Sequence, residues 1–163
     1  MSVCASFDEL LGIRAKAKAE KRTVVFTNGV FDILHRGHVE YLEAAKRHGD
    51  ILIVGVNSDA SVRRIKGEKK PIVPQDDRMF LLASLACVDY VCGFDEDTPQ
   101  RIISELLPDV LVKGADYNLE DIVGRAEVVR AGGRVVTIPL TPAKSTTNII
   151  DTIIERYCRD TKS

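Results

Sequence analysis

Five short apolar runs, each parted from the next by a helix-forming stretch, constrain the fold of this chain more than any other feature. The runs are Thr23–Thr27, Ile51–Val56, Val88–Cys92, Val110–Val112 and Arg134–Ile138. They are rich in β-branched residues and lack the strict alternation of a half-exposed strand, so each reads as a strand buried on both faces. Parallel strands need crossover connections, and helices supply them. The expected fold is therefore α/β and Rossmann-like, a five-stranded parallel sheet with helices on both faces.

Caps and breakers place the helices. Ser6-Phe7-Asp8-Glu9 has the form of a capping box and predicts a helix to about Glu20. A second helix is expected from near Gly37 to His48, with Val39, Leu42, Ala44 and Ala45 inward and Gly49-Asp50 as its stop. Asn57 to about Pro74 reads as a polar, cationic loop. Further helices are expected over 76–86, over 99–106 with Thr98 as N-cap, over 119–131 closed by Gly132-Gly133, and from Ser145 to about Arg159. Asn28-Gly29 is expected to break the first strand, and Lys113-Gly114 to end the fourth. No repeat, low-complexity tract or linker interrupts this pattern. It predicts a single domain over 1–163, with a core at 24–155 and an N-terminal helix at 6–20.

Charge narrows the partners. Lys plus Arg (23) nearly balances Asp plus Glu (24), for a net charge of -1. That argues against a general binder of nucleic acid or membrane surfaces and still allows a local basic cluster to take phosphates. No apolar run approaches the ~20 residues that span a bilayer. The N-terminus lacks a basic-then-apolar export signal, so a cytoplasmic location is expected. Cys4, Cys87, Cys92 and Cys158 form no CxxC pair and read as reduced thiols, with Cys87 and Cys92 as small core fillers.

Chemistry concentrates after the first strand, in Thr27-Asn28-Gly29-Val30-Phe31-Asp32-Ile33-Leu34-His35-Arg36-Gly37-His38. Strand, turn, helix is how α/β proteins bind phosphate, because free N–H groups and the dipole at a helix start both favour an anion. The segment is neither a GxGxxG nor a P-loop. Two imidazoles flank a glycine at the helix start and can aim N–H donors at one phosphate. A lone histidine here would be an ordinary turn or surface residue, and a zinc site would need a third ligand that the neighbouring sequence lacks. Ser145-Thr146-Thr147 opens the last helix, where hydroxyls and backbone N–H groups can hold phosphates, although plain capping needs just one of the three. Lys66 stands among Arg63, Arg64, Lys69 and Lys70, a cationic group suited to a triphosphate or simply to solvent. Lys113-Gly114-Ala115-Asp116-Tyr117 follows a strand's carboxyl end, where open sheets bind ligands. Asp32 can orient a histidine, cap the helix or assist Mg²⁺.

Residues 24–155 resemble the cytidylyltransferase-like nucleotidyltransferases, whose hallmark is the His-x-Gly-His turn. Lys66-Gly67, Lys70-Pro71-Ile72-Val73-Pro74 and Asp77-Arg78 occupy the loop where that family places a phosphate-gripping lysine. Phe94-Asp95-Glu96-Asp97-Thr98-Pro99, Leu111 to Tyr117 and Ser145 to Ile150 look like one subfamily, the heptose 1-phosphate adenylyltransferases, in their stand-alone form. The resemblance implies transfer of AMP from ATP to D-glycero-D-manno-heptose 1-phosphate, giving ADP-heptose and pyrophosphate for bacterial surface glycan or lipopolysaccharide. It implies His35, His38 and Lys66 as catalytic residues. Nucleotide and phosphate contacts fall to Thr27, Asn28, Gly29, Phe31, Gly37, Arg78, Lys113, Gly114, Ser145, Thr146 and Thr147, and sugar-phosphate contacts to Asp32, Asp116 and Tyr117. Mg²⁺ is expected to enter with ATP rather than on protein side chains, a homodimer is expected, and a separate heptose kinase would supply the substrate. Alternatives within the superfamily are a glycerol-3-phosphate cytidylyltransferase or an FMN adenylyltransferase. The glycerol-phosphate branch has an arginine several residues before Ser-Thr-Thr, where this chain runs Ile138 to Lys144 without one. A non-catalytic nucleotide-binding protein is the alternative from another class.

Overall fold

The chain's β-branched runs pair in parallel and in sequence register, as the computed structural model shows for residues 3–115, 118–142 and 144–158. In chain order the elements are β1 (Val3–Cys4), α1 (Phe7–Ala19), β2 (Val24–Gly29), α2 (Arg36–Lys46), β3 (Ile51–Asn57), α3 (Asp59–Lys66) and α4 (Gln75–Ala83). They continue with β4 (Tyr90–Phe94), α5 (Gln100–Leu106), β5 (Val110–Gly114), α6 (Arg125–Arg130), β6 (Arg134–Ile138) and α7 (Thr146–Tyr157). The sheet order is β1-β4-β3-β2-β5-β6. From β2 the chain builds outward to β3 and β4, then returns to β5 on the other side. The order therefore reverses between β2 and β5, and a crevice opens there beyond the strands' carboxyl ends.

Two apolar layers fix the sheet. Leu10, Phe26, Ile53, Ile103 and Leu111 pack on the face covered by α1 and α5. Val25, Leu42, Leu52, Val54 and Leu82 pack on the face covered by α2 and α4. Helices thus cover both faces, as continuous apolar strands require. The expected capping box starts α1: Ser6 Oγ accepts from Glu9 N–H, and the Glu9 carboxylate accepts from Ser6 N–H at 2.7 Å.

The five expected strands all form, with differences at their ends. Val3–Cys4 adds a sixth, two-residue edge strand beside β4, too short to show any periodicity. Asn28-Gly29 and Lys113-Gly114 lie inside β2 and β5 rather than ending them. The third expected strand forms as β4 over Tyr90–Phe94 rather than 88–92. The region read as a loop from Asn57 to Pro74 contains α3, capped by Ser58, whose Oγ accepts from Ser61 N–H at 3.0 Å. In α3 just Ser61 and Val62 are buried, so its cationic face hid the helix. The helix expected over 119–131 is split into a single 3₁₀ turn, Leu119–Asp121, and α6. Gly124 parts them with φ +83°, where a Cβ would lie 2.4 Å from Ile103. Pro99, rather than Thr98, is the N-cap of α5. Cys92 is buried, Cys87 half-buried, and Cys4 and Cys158 exposed. Among the described residues no helix is long and apolar enough to cross a membrane.

Candidate active site

A cleft of about 660 Å³ lies beyond the carboxyl ends of β2 and β5, at the reversal of strand order. Its floor is set by one contact across that reversal: the Lys113 ammonium donates to Asn28 Oδ1. Lys113 is 7% exposed, and burial pulls its pKa down to about 8.

The chain leaves β2 through Phe31, a non-glycine residue at φ +49°. Such left-handed backbone is unfavourable for a bulky side chain and recurs at functional turns. Here it sets the Phe31 ring edge-on to His38, centroids 5.3 Å apart. His35 is the N-cap of α2 in extended backbone and makes no side-chain capping bond. Its ring stacks on His38 at 3.8 Å. Gly37 makes the stack possible, since a Cβ there would stand 3.1 Å from His35 Cε1 and 3.0 Å from Lys144 Cβ. Burial, then the neighbouring His35, lowers the His38 pKa to about 4. Burial, then Lys144, also lowers that of His35. Both Nδ1 atoms are buried without a hydrogen-bond partner. No acidic residue occupies the first turn of α2 or of α7, which leaves both positive helix ends facing the cleft.

Most of the residues expected at the site meet here. Asn28, Gly29, Phe31, Asp32, His35, Gly37 and His38 line one wall. Lys66, Lys113, Gly114, Ser145, Thr146 and Thr147 line the others. Ser145 Oγ accepts from Asn148 N–H at 3.1 Å, so it also serves as the cap of α7. Two expectations are corrected. Thr27 is fully buried beneath the cleft, its hydroxyl 2.8 Å from Tyr41 Oη. Arg78 is 1% exposed and faces inward. It donates to Val73 O at 2.9 Å, Val30 O at 2.5 Å, Asn57 O at 2.8 Å and Asp59 Oδ1 at 2.8 Å, so its charge braces three connections instead of a ligand. Asp116 and Tyr117 lie outside the described residues.

The cleft also includes residues that sequence reasoning missed. Tyr41 lines it one helical turn after His38, a spacing that puts both on one face of α2. Lys70 lines it too, drawn from a charge run that gave no reason to choose it. Asp97 and Thr98 form part of the rim, and Asp97 is fixed by Arg64 Nε at 2.6 Å. A larger depression of about 770 Å³ sits between β1 and α4. Its walls are mostly apolar and its one charged lining residue is Asp89, so it offers a phosphate nothing.

Comparison with known proteins agrees with this geometry. The cytidylyltransferase-like family model matches residues 26–152. The bifunctional protein HldE of Trichlorobacter lovleyi is 57% identical over 145 residues, covering 89% of this chain and 30% of that protein. HldE of Geobacter sulfurreducens is 53% identical over 152 residues, covering 93% and 31%. The chain thus spans about 30% of the length of these curated relatives. A solved structure of a lipopolysaccharide core biosynthesis protein from Thermoplasma volcanium is 30% identical, with a TM-score of 0.60 over 74% of this chain and 97% of that one. Pantoate-beta-alanine ligase from Francisella tularensis shares the fold at 14% identity, with a TM-score of 0.62 over 98% of this chain and 80% of that one. The chain belongs to the cytidylyltransferase-like family of nucleotidyltransferases.

Proposed function

We propose that the chain transfers AMP from ATP to D-glycero-D-manno-heptose 1-phosphate, forming ADP-heptose and pyrophosphate for bacterial surface glycan synthesis. The observation that carries this reading is convergence. Two imidazoles, the starts of α2 and α7, and the lysines 66, 70, 113 and 144 all border one cleft. A reaction between two polyanions needs that density of donors and cations. The resemblance of residues 94–117 to heptose 1-phosphate adenylyltransferases supports the sugar. So do relatives named for HldE and for lipopolysaccharide core biosynthesis.

In this reading an oxygen of the sugar 1-phosphate attacks the α-phosphorus of ATP. A P–O bond forms there, the bond to the β-phosphate oxygen breaks, and its electron pair leaves with pyrophosphate. The attacking oxygen is already an anion, so no base is needed. His35 and His38 donate hydrogen bonds to the phosphoryl oxygens as charge builds on them, and Lys66 faces the departing pyrophosphate. Mg²⁺ bound to the triphosphate would supply charge neutralisation. The lysines and the two helix starts that border the cleft suit a triphosphate, whose oxygens would carry the ion.

Pyrophosphate release across a panel of ATP or CTP with heptose 1-phosphate, glycerol 3-phosphate or FMN tests the proposal. ATP with heptose 1-phosphate should be fastest. Faster release with CTP and glycerol 3-phosphate, or with FMN, would reassign the substrate. Nucleotide binding with no release from any pair would make the chain a non-catalytic binder.

A further inference from the structure

Asp32 is 4% exposed, yet its two oxygens live in different surroundings. Oδ1 accepts from Ile72 N–H at 2.8 Å and from Val73 N–H at 2.9 Å. Oδ2 is buried without a hydrogen-bond partner, and the Lys70 ammonium stands 3.8 Å from it. Asp32 follows Phe31 on the turn that leads to His35, and its charge acts on His38. Asp32, Lys70 and both histidines line the same cleft.

A buried carboxylate oxygen with no hydrogen bond is costly unless a nearby cation offsets it. Lys70 is the neighbouring cation, and its side chain is 26% exposed, so one side of the ammonium faces the cleft. Lys66, by contrast, is exposed at the end of α3, and among the described residues it makes no ion pair. Building on the phosphate-transfer reading above, we propose that Lys70 is a phosphate-binding residue of this site. Asp32 is the positioning residue that holds it there: one oxygen fastens the 72–73 backbone to the histidine turn, and the other aims the ammonium at the cleft. Asp32 is then a brace for the cation rather than a ligand of the sugar phosphate.

A double-mutant cycle on the full chain tests this, with Lys70→Met, Asp32→Asn and the pair. The readouts are binding of inorganic pyrophosphate by calorimetry, KM and kcat for ATP, and a thermal melt. Asn keeps an oxygen for the Ile72 and Val73 N–H groups while removing the charge that aims Lys70. Lys70→Met should weaken pyrophosphate binding about tenfold or more, the scale of one charge-assisted hydrogen bond, and lower the melt modestly, because Asp32 Oδ2 loses the cation that offsets its burial. Asp32→Asn should do the same in a folded protein, and the double variant should be no worse than either single one. Lys70→Arg should restore most of the binding. Unchanged binding in Lys70→Met overturns the proposal, as do additive losses in the cycle. If Asp32→Asn does not fold, the Lys70→Met and Lys70→Arg pair decides the matter alone. The pyrophosphate readout does not depend on which sugar is used. A wild-type chain that binds pyrophosphate but turns over no sugar phosphate therefore defeats the functional proposal and not this one.

Discussion

His35 and His38 stack with ring centroids 3.8 Å apart and planes 20° from parallel, and neither Nδ1 has a hydrogen-bond partner. Adjacent imidazolium ions would repel, and both rings are held below their usual pKa by burial first. At neutral pH the pair is therefore uncharged, a rigid set of donors waiting for an anion. Such preorganised donors matter most where charge builds during reaction. His38→Ala should lower kcat on the order of 10²–10³-fold with a smaller change in KM. Steady-state kinetics with wild-type turnover in that variant would rule the role out.

The same burial predicts an acid sensitivity in the ligand-free protein. Unfolded His titrates near 6.5, and folded His38 near 4. Between those values the unfolded chain binds more protons, so stability falls as pH drops from about 6.5 to about 4. Partial solvent access trims the effect to roughly 2 kcal/mol. Urea unfolding at several pH values should show this slope in wild type and a flatter one in His38→Gln. Identical slopes would mean that other groups carry the acid response.

Gly37 separates stability from activity. An added Cβ would meet His35 Cε1 at 3.1 Å and Lys144 Cβ at 3.0 Å. In the first turn of α2, alanine is a better helix former than glycine by up to about 1 kcal/mol. Gly37→Ala should therefore keep or raise the melting temperature while displacing the His35 ring and slowing turnover by about tenfold or more. Calorimetry and kinetics on one preparation check both halves.

Sequence patterns exposed much of this fold because its central strands, β2, β3 and β5, are buried on both faces. Val24–Phe26 and Ile51–Val56 cannot be anything but apolar there. The histidine turn was legible for a related reason, since its spacing and its place after a buried strand have few other uses. What stayed hidden depends on burial that charge disguises. Val62 is a single buried aliphatic in α3, among arginines and lysines, so its helical face left no stripe to read. Lys70 differs from Lys69 through a tertiary contact with Asp32, which no local pattern encodes. Arg78 sat in a motif that suggested a ligand, whereas its neighbours in space are carbonyl oxygens.

Arg78 consequently has a stability phenotype. Its removal strands the Val30, Val73 and Asn57 carbonyls and the Asp59 carboxylate. Breaking a buried, hydrogen-bonded charge costs roughly 3–5 kcal/mol. Arg78→Met should lose that much in chemical denaturation, and Arg78→Lys should recover little, because an ammonium cannot reach partners arranged around a planar fork. A stable Arg78→Met protein with impaired nucleotide binding would return Arg78 to the ligand.

Lys113 links the floor of the cleft to the pH of binding. Its burial lowers the pKa to about 8, and its contact with Asn28 bridges β5 to β2 where strand order reverses. If its charge serves a substrate phosphate, KM should rise as pH passes upward through about 8, because the neutral amine no longer attracts the anion. A bound phosphate favours the protonated form, so the break should shift upward at saturating substrate. Lys113→Arg stays charged across that range and should lose the break. Lys113→Met should have a raised KM that does not vary there with pH. A break near pH 8 that survives in both variants would assign it to another group.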